Sequence, residues 1–417
     1  MNFKDEVNCV GVSDGKCRPV ASGPQKTSMI KVIGVGGGGG NAVKQLVESG
    51  IVTGDEAVMG VELVVCNTDT QALNNSPVPI KIQLGERITE GLGAGNDPSV
   101  GEKAAVESLV KINEVLDDCT KMVIITAGMG GGTGTGAAPV VAKAAHEKGI
   151  LTIAIVTVPF SSEGNLRINQ ANEGIKKMRE YVDALLVIND DKLIEFQDCS
   201  FSNAFKKADE IVVVAAKSIA EIITSPGSIN LDFRDVNSVM KNHGVALFGS
   251  AEAEGEGRAI KAIENALNSP LLHDNNISGA KDAILSITTP KGENELTMKE
   301  FGEITSFLRK VAGPGVNLIW GTSFDDSLGG KIRTTVVATG FGFEELPISA
   351  TEDVKVVALG EPLPKADDIS SEPVDLRQHG DFGYVKDLNK LNEDQYLDKL
   401  ENETALERKK RMLNEKK

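Results

Sequence analysis

The chain has 417 residues, 41% of them hydrophobic and 25% charged, which is enough apolar content to bury two ordinary cores. Its formal net charge of −16 repels nucleic acid and anionic lipid over most of the surface, so a phosphate ligand must be held locally by amides, arginine and a metal ion. The five cysteines, at 9, 17, 66, 119 and 199, show no CxxC or Cys/His ligand spacing; this excludes a disulfide framework and fits reduced thiols in the cytoplasm.

Residues 1–28 are charge-balanced, show no period and lack the apolar run of a signal peptide, so they read as a flexible extension. No stretch approaches the roughly 20 apolar residues of a membrane span. From Met29 an apolar strand runs to Val35 and meets the glycine run Gly36 to Gly40 with Asn41, after which a helix is expected from about Ala42 to Glu48. Segments at Leu63 to Cys66, Ile80 to Leu84 and Ser99 to Leu116 continue a βα progression.

The strand Met122 to Ala127 leads into a second run, Gly128 to Gly136, with six glycines in nine residues, and a helix is expected from Ala137 to Lys148. Glycines between a strand and a helix let unhindered N–H groups converge on an anion at the helix N-terminus. No Lys follows, and the spacing Gly-x4-Gly-Lys-Ser/Thr occurs nowhere, so this is not the common phosphate loop. A glycine-rich turn can also serve packing alone, but nine residues exceed what one turn needs. In a parallel sheet both runs lie at carboxyl ends of strands, where two N–H-rich loops suit a polyphosphate.

Further strands are expected at Leu151 to Val158 and Ala184 to Ile188, around a helix from Asn165 to Tyr181. Glu163 and Arg167 stand four apart at the entrance to that helix, where they form a surface ion pair or reach a ribose and a phosphate. Asn203 to Thr224 is apolar on nearly every face and must be buried. Asp209 within it needs a partner. Guanine offers an adjacent ring N–H and amine to a carboxylate, with Phe205 free to stack on the base; the plainer alternative is pairing with Lys206 or Lys207.

Ser225-Pro226-Gly227 stops the helix, and Asn230 to Asp235 forms an oxygen-rich loop in which Asp235 is the expected N-cap of a helix Val236 to Asn242. A second pattern of strands and helices follows, at Val245 to Ser250, Arg258 to Asn268, Ala283 to Thr288, Phe301 to Val311, Asn317 to Thr322 and Lys331 to Thr339. Residues 352–403 carry 14 acidic against 6 basic side chains with three prolines, the composition of a disordered linker. Residues 404–417 reverse sign, with 6 basic and 2 acidic side chains and sparse apolar anchors, as a docking motif or a solvated tail.

Taken in order, these motifs closely resemble the FtsZ family, the bacterial cell-division homologues of tubulin. The signature Gly-Gly-Gly-Thr-Gly-Thr-Gly stands intact at Gly130 to Gly136, together with Gly36 to Asn41, Asn67-Thr68-Asp69, Gly91-Leu92-Gly93-Ala94-Gly95, Pro159-Phe160 with Glu163 and Arg167, and Asn230 to Asp235. The resemblance implies a tubulin-like α/β fold: a doubly wound parallel-sheet GTP-binding domain at 29–201, a long buried central helix at 202–225 and a smaller α/β domain at 226–346. The linker is then 347–403 and the tail 404–417.

It also implies site residues. Gly37, Gly38, Gly39, Gly40 and Asn41 would hold phosphates with Gly131, Gly132, Thr133, Gly134 and Thr135. Gly93, Ala94 and Gly95, with Asn96, would sense the γ-phosphate, and Asp69 joins the GTP-binding set. Glu163 and Arg167 would contact the ribose, and Phe205 and Asp209 the guanine. Asp232, Asp235 and Asn230 would act on the GTP of a neighbouring subunit, with Mg2+ offsetting phosphate charge. The implied partners are further copies of the chain, in a head-to-tail filament at the midcell division site, and membrane-tethering adaptors that read the tail through Leu406 and Arg408. Neither nucleic acid binding nor direct membrane insertion is expected. Two other readings are a tubulin-like filament whose nucleotide is only a switch, against which Asp232 and Asp235 speak, and a nicotinamide-dependent oxidoreductase, for which the second glycine run would be superfluous.

Overall fold

The computed structural model describes residues 28–48, 60–117, 119–189, 201–268 and 277–341, with side chains of the helix that begins at 201 described from 206 onward. The expected extension before residue 28, the linker and the tail, including Leu406 and Arg408, lie outside these residues.

Seven strands form one parallel sheet: β1 (Ile30–Val35), β2 (Val61–Asn67), β3 (Ile80–Gln83), β4 (Met122–Gly128), β5 (Leu151–Val158), β6 (Ala184–Asn189) and the short β7 (Gly244–Val245). Their order is β3-β2-β1-β4-β5-β6-β7, so the winding direction reverses between β1 and β4. The strands are apolar on both faces because both are covered. In β1, Ile30 and Val32 pack on one side with α1 (Gly36–Glu48), whereas Ile33 and Val35 pack on the other.

That other layer holds α4 (Pro98–Glu107), α5 (Leu109–Val115), α6 (Gly132–Glu147) and α7 (Asn165–Arg179); the short α2 (Thr70–Asn74) and α3 (Glu86–Thr89) flank β3. The segment Ser99 to Leu116 is two helices rather than one. Ser108 interrupts it, its hydroxyl accepting from the Gly85 N–H at 2.9 Å and so tying the helix break to the turn after β3.

The 24-residue α8 (Phe201–Thr224) crosses behind the sheet, and Val212, Ala216, Ile219 and Ile222 join the same core as Leu186 of β6. Ile284 and Val337 of a second, smaller sheet belong to that core as well, so α8 is wedged between two sheets. The smaller sheet consists of β8 (Leu247–Ala253), β9 (Asp282–Thr289), β10 (Asn317–Phe324) and β11 (Ile332–Thr339) in the order β10-β9-β11-β8. Its far face is closed by α10 (Arg258–Leu267) and α11 (Met298–Ala312), where the Phe301 and Trp320 rings meet with centroids 4.4 Å apart. Between α8 and β8 lies α9 (Phe233–Met240). Arg258 at the start of α10 pairs with Glu300 of α11 at 2.6 Å, and the bond pulls the Glu300 carboxyl down to about 2.

Candidate functional site

The two glycine runs follow β1 and β4, adjacent strands on either side of the reversal in strand order. Ligands of open parallel sheets bind at the carboxyl ends of the strands at this switch point. Both helices start earlier than expected, α1 at Gly36 rather than near Ala42 and α6 at Gly132 rather than Ala137. Glycine disfavours a helix interior by about 1 kcal/mol relative to alanine, so tertiary packing overrides propensity here. Gly36 takes φ +75°, and a Cβ on it would stand 2.8 Å from the Gly134 nitrogen; a Cβ on Gly39 would collide with the Thr126 carbonyl oxygen. The runs are thus pressed backbone to backbone, and the free first-turn N–H groups of two helices open beside each other.

Other segments close around this point. The Thr68 hydroxyl, fully buried after β2, lies 2.7 Å from the Thr133 hydroxyl in the first turn of α6, and the Gly130 N–H donates to Thr135 Oγ1 at 2.8 Å. Asp69 caps α2, accepting from the Gln71 and Ala72 N–H groups, and bridges to Leu92. The Gly93 N–H donates to the Thr68 carbonyl at 3.3 Å, which brings the loop of Gly93, Ala94 and Gly95 to the rim. Ala94 packs against Gly132. Asp97 ends that loop as the N-cap of α4, with Pro98 at the first helical position.

Glu163 and Arg167 both form an ion pair with each other and stand beside the second glycine run, since the Arg167 backbone abuts Gly130. Glu163 also accepts from the Phe160 N–H at 3.1 Å, which fixes the entrance to α7. Asp209 lies on α8, which packs on α1. Burial pushes its carboxyl up to about 6, and no ion pair with Lys206 or Lys207 forms among the described residues. The Phe205 side chain lies outside the described residues.

Asn230, Asp232 and Asp235 are elsewhere. The expected cap is corrected: Asp232, not Asp235, is the N-cap, and the helix is 233–240. Asp235 takes the third helical position, and the two carboxylates exchange bonds with each other's backbone N–H at 2.9 and 3.0 Å, a capping box that a Glu or Gln ordinarily completes. Asn230 Oδ1 accepts from the Gly227 N–H. Phe233 and Asn237 line a cavity of about 290 Å³ with Lys121, Ile150 and Leu151, which stand at the amino ends of β4 and β5. Asn242, just past α9, donates its N–H to Asp183 at the amino end of β6. The acidic loop therefore sits at the opposite end of the sheet from the glycine runs, roughly 20 Å away along a seven-residue strand.

Residues 29–198 match the model of the Tubulin/FtsZ family GTPase domain, and residues 244–342 match that of the FtsZ family C-terminal domain. The cell division protein FtsZ of Mycoplasmopsis pulmonis is 44% identical over 360 residues, spanning 81% of this chain and 89% of the relative. The chain belongs to the FtsZ family. It thereby joins the tubulin-like, GTP-binding proteins of cell division.

A solved FtsZ dimer from M. jannaschii superposes with a TM-score of 0.70 at 40% identity, covering 77% of this chain and 91% of that one. CetZ2 from Haloferax volcanii, solved as a GTPγS-bound protofilament, shares the fold with a TM-score of 0.62 at 21% identity, over 74% of this chain and 92% of that one. Two neighbours of the FtsZ site were not singled out from the sequence. Gln170 stands one helical turn past Arg167, a spacing that could have drawn attention to it, and the Asp-Pro-Ser run at Asp97 is a legible capping signal.

Proposed function

We propose that this FtsZ-family chain binds GTP at the switch point and polymerises head to tail, each subunit's acidic loop completing the GTP site of the next. Gly37 to Asn41 and Gly131 to Thr135 hold the phosphates, Gly93, Ala94, Gly95 and Asn96 face the third phosphate, and Asp69 braces that loop. Glu163 and Arg167 contact the ribose; Phe205 and Asp209 hold guanine. The observation that supports the reading is the separation of the two halves: one chain has its glycine runs at one end of its sheet and the carboxylates of its acidic loop at the other.

Hydrolysis needs a water held in line with the bond that breaks and charge stabilised around the moving phosphoryl group. Asp232 and Asp235 keep open carboxylate oxygens beyond those spent on the capping box, so they can accept the protons of that water, with Asn230 alongside. The water oxygen bonds to the γ-phosphorus, the bond from that phosphorus to the β–γ bridging oxygen breaks, and GDP leaves with the electron pair. Among the described residues no group of three or more His, Cys, Asp or Glu side chains is placed to hold a metal ion. The N–H groups of the glycine runs and the Thr133 hydroxyl would hold the phosphates, and a magnesium ion bound with the nucleotide would offset their charge.

A contact joining opposite ends of a molecule, where its rotation does not close, propagates into a filament, consistent with a ring at the midcell division site. Among the described residues no helix is long and apolar enough to cross a membrane. The basic tail, through Leu406 and Arg408, is proposed to dock membrane-bound adaptors. The test is GTP turnover per molecule against protein concentration with magnesium, for the wild type alone and mixed with Asp232→Ala. A threshold followed by rising activity, suppressed by a variant that still binds GTP, is expected; turnover independent of concentration and untouched by the variant would refute the shared site.

A further inference from the structure

Gln170 lies on α7, three residues after Arg167, and its Nε2 donates to the Asn96 carbonyl at 3.4 Å. That carbonyl belongs to the loop that starts at Gly93. Asn96 is one of three non-glycine residues with positive φ among the described residues, at +61°, a conformation tolerated best by asparagine and held only where neighbours enforce it. The orientation of the Gln170 amide follows from its partner: a carbonyl oxygen can only accept, so the NH2 must face it. The other end, Oε1, then faces away from that carbonyl, and it is buried with no protein hydrogen-bond partner among the described residues.

A buried acceptor without a donor is costly, and such a group calls for a state in which it is satisfied. Across the loop, the Gly95 and Asn96 N–H groups make no hydrogen bond among the described residues. We propose that Gln170 is a positioning residue for the third phosphate: Nε2 ties the 93–96 loop to α7, and when the loop closes on a triphosphate, Oε1 accepts one of its N–H groups. Closure thereby links the loop to the helix that carries Arg167. The inference rests on the reading above that this loop faces the terminal phosphate of GTP.

The test is to titrate GTP and GDP, with magnesium and below the assembly threshold, into the wild type and into Gln170→Met, which keeps the shape but has neither donor nor acceptor. GTP binding is expected to weaken about fivefold, the worth of one hydrogen bond, with GDP binding unchanged. Gln170→Glu, which retains an acceptor but turns it on the Asn96 carbonyl, is expected to lose at least as much. Hydrogen exchange supplies a second readout, with amides 93–97 slowed by GTP but not by GDP in the wild type, and the difference absent in Gln170→Met. Equal loss for both nucleotides, or none, overturns the inference while leaving the GTP site intact. A wild type that binds neither nucleotide overturns the GTP reading and this inference with it.

Discussion

The hydroxyls of Thr68 and Thr133, 65 residues apart in sequence, share a hydrogen bond of 2.7 Å that joins the end of β2 to the first turn of α6. Thr68 is completely buried, so its hydroxyl depends on this partner. Thr133→Val should cost about 1–3 kcal/mol, because it strands a buried polar group. Thr68→Val with Thr133→Val together should cost less than the two single changes summed, since the second removes what the first left unpaired. Urea denaturation of the four proteins measures the coupling.

Two glycines of the first run should respond oppositely to alanine. Gly39→Ala drives a methyl into the Thr126 carbonyl and should destabilise the fold severely. Around Gly37 a Cβ meets none of the described residues within 4 Å, and its φ is not positive. Gly37→Ala is expected to raise stability by up to about 1 kcal/mol through helix propensity. It should also impair GTP binding, because the open space is where the proposed phosphates lie. Thermal melts paired with nucleotide titration separate the effects.

Asp209 makes a pH prediction. Its carboxyl, raised to about 6 by burial, titrates near 3.9 in an unfolded chain, so between those values the folded state binds the extra proton. Stability of the nucleotide-free protein therefore falls as pH rises through this window. Asp209→Asn should be more stable above pH 6 by roughly 1–3 kcal/mol, a gap that narrows below pH 6 and closes near pH 4. The same variant should lose its preference for GTP over ATP. Denaturation curves at several pH values, with competition binding, give both results.

Glu300 behaves in the reverse sense. The Arg258 bond lowers its carboxyl to about 2, so the stabilisation is complete above the unfolded value near 4.3 and is lost as pH falls toward 2. Glu300→Gln should cost about 1–3 kcal/mol at neutral pH and almost nothing at pH 2. A pH series of urea midpoints checks it, and a constant offset between the two proteins would assign the loss to the cap alone.

The parallel sheet, the position of the glycine runs and the smaller second domain could be read from apolar strands and glycine punctuation, because both faces of the sheet are buried and leave continuous apolar runs. The starts of α1 and α6 could not. Propensity excludes glycine from helices, and only the backbone contact of Gly36 with Gly134 explains why the helices reach back into the glycines. The Asp235 cap failed for a related reason: two aspartates three apart can exchange capping bonds, and a sequence does not say which residue precedes the first helical turn. Gln170 shows a visible spacing from Arg167, but its partner is a backbone carbonyl 74 positions away that no residue type marks.

The placement of cradle and carboxylates at opposite ends of one sheet has an arithmetic consequence. In the proposed head-to-tail row of n subunits only the n − 1 joints would be complete sites, so hydrolysis would count joints rather than chains. One terminus of such a row would display a loaded nucleotide with nothing to cleave it, while the other would display carboxylates with nothing to act on. Cutting such a row anywhere would silence a single site and create one new terminus of each kind, so turnover per chain would follow (n − 1)/n and level off as the row lengthens.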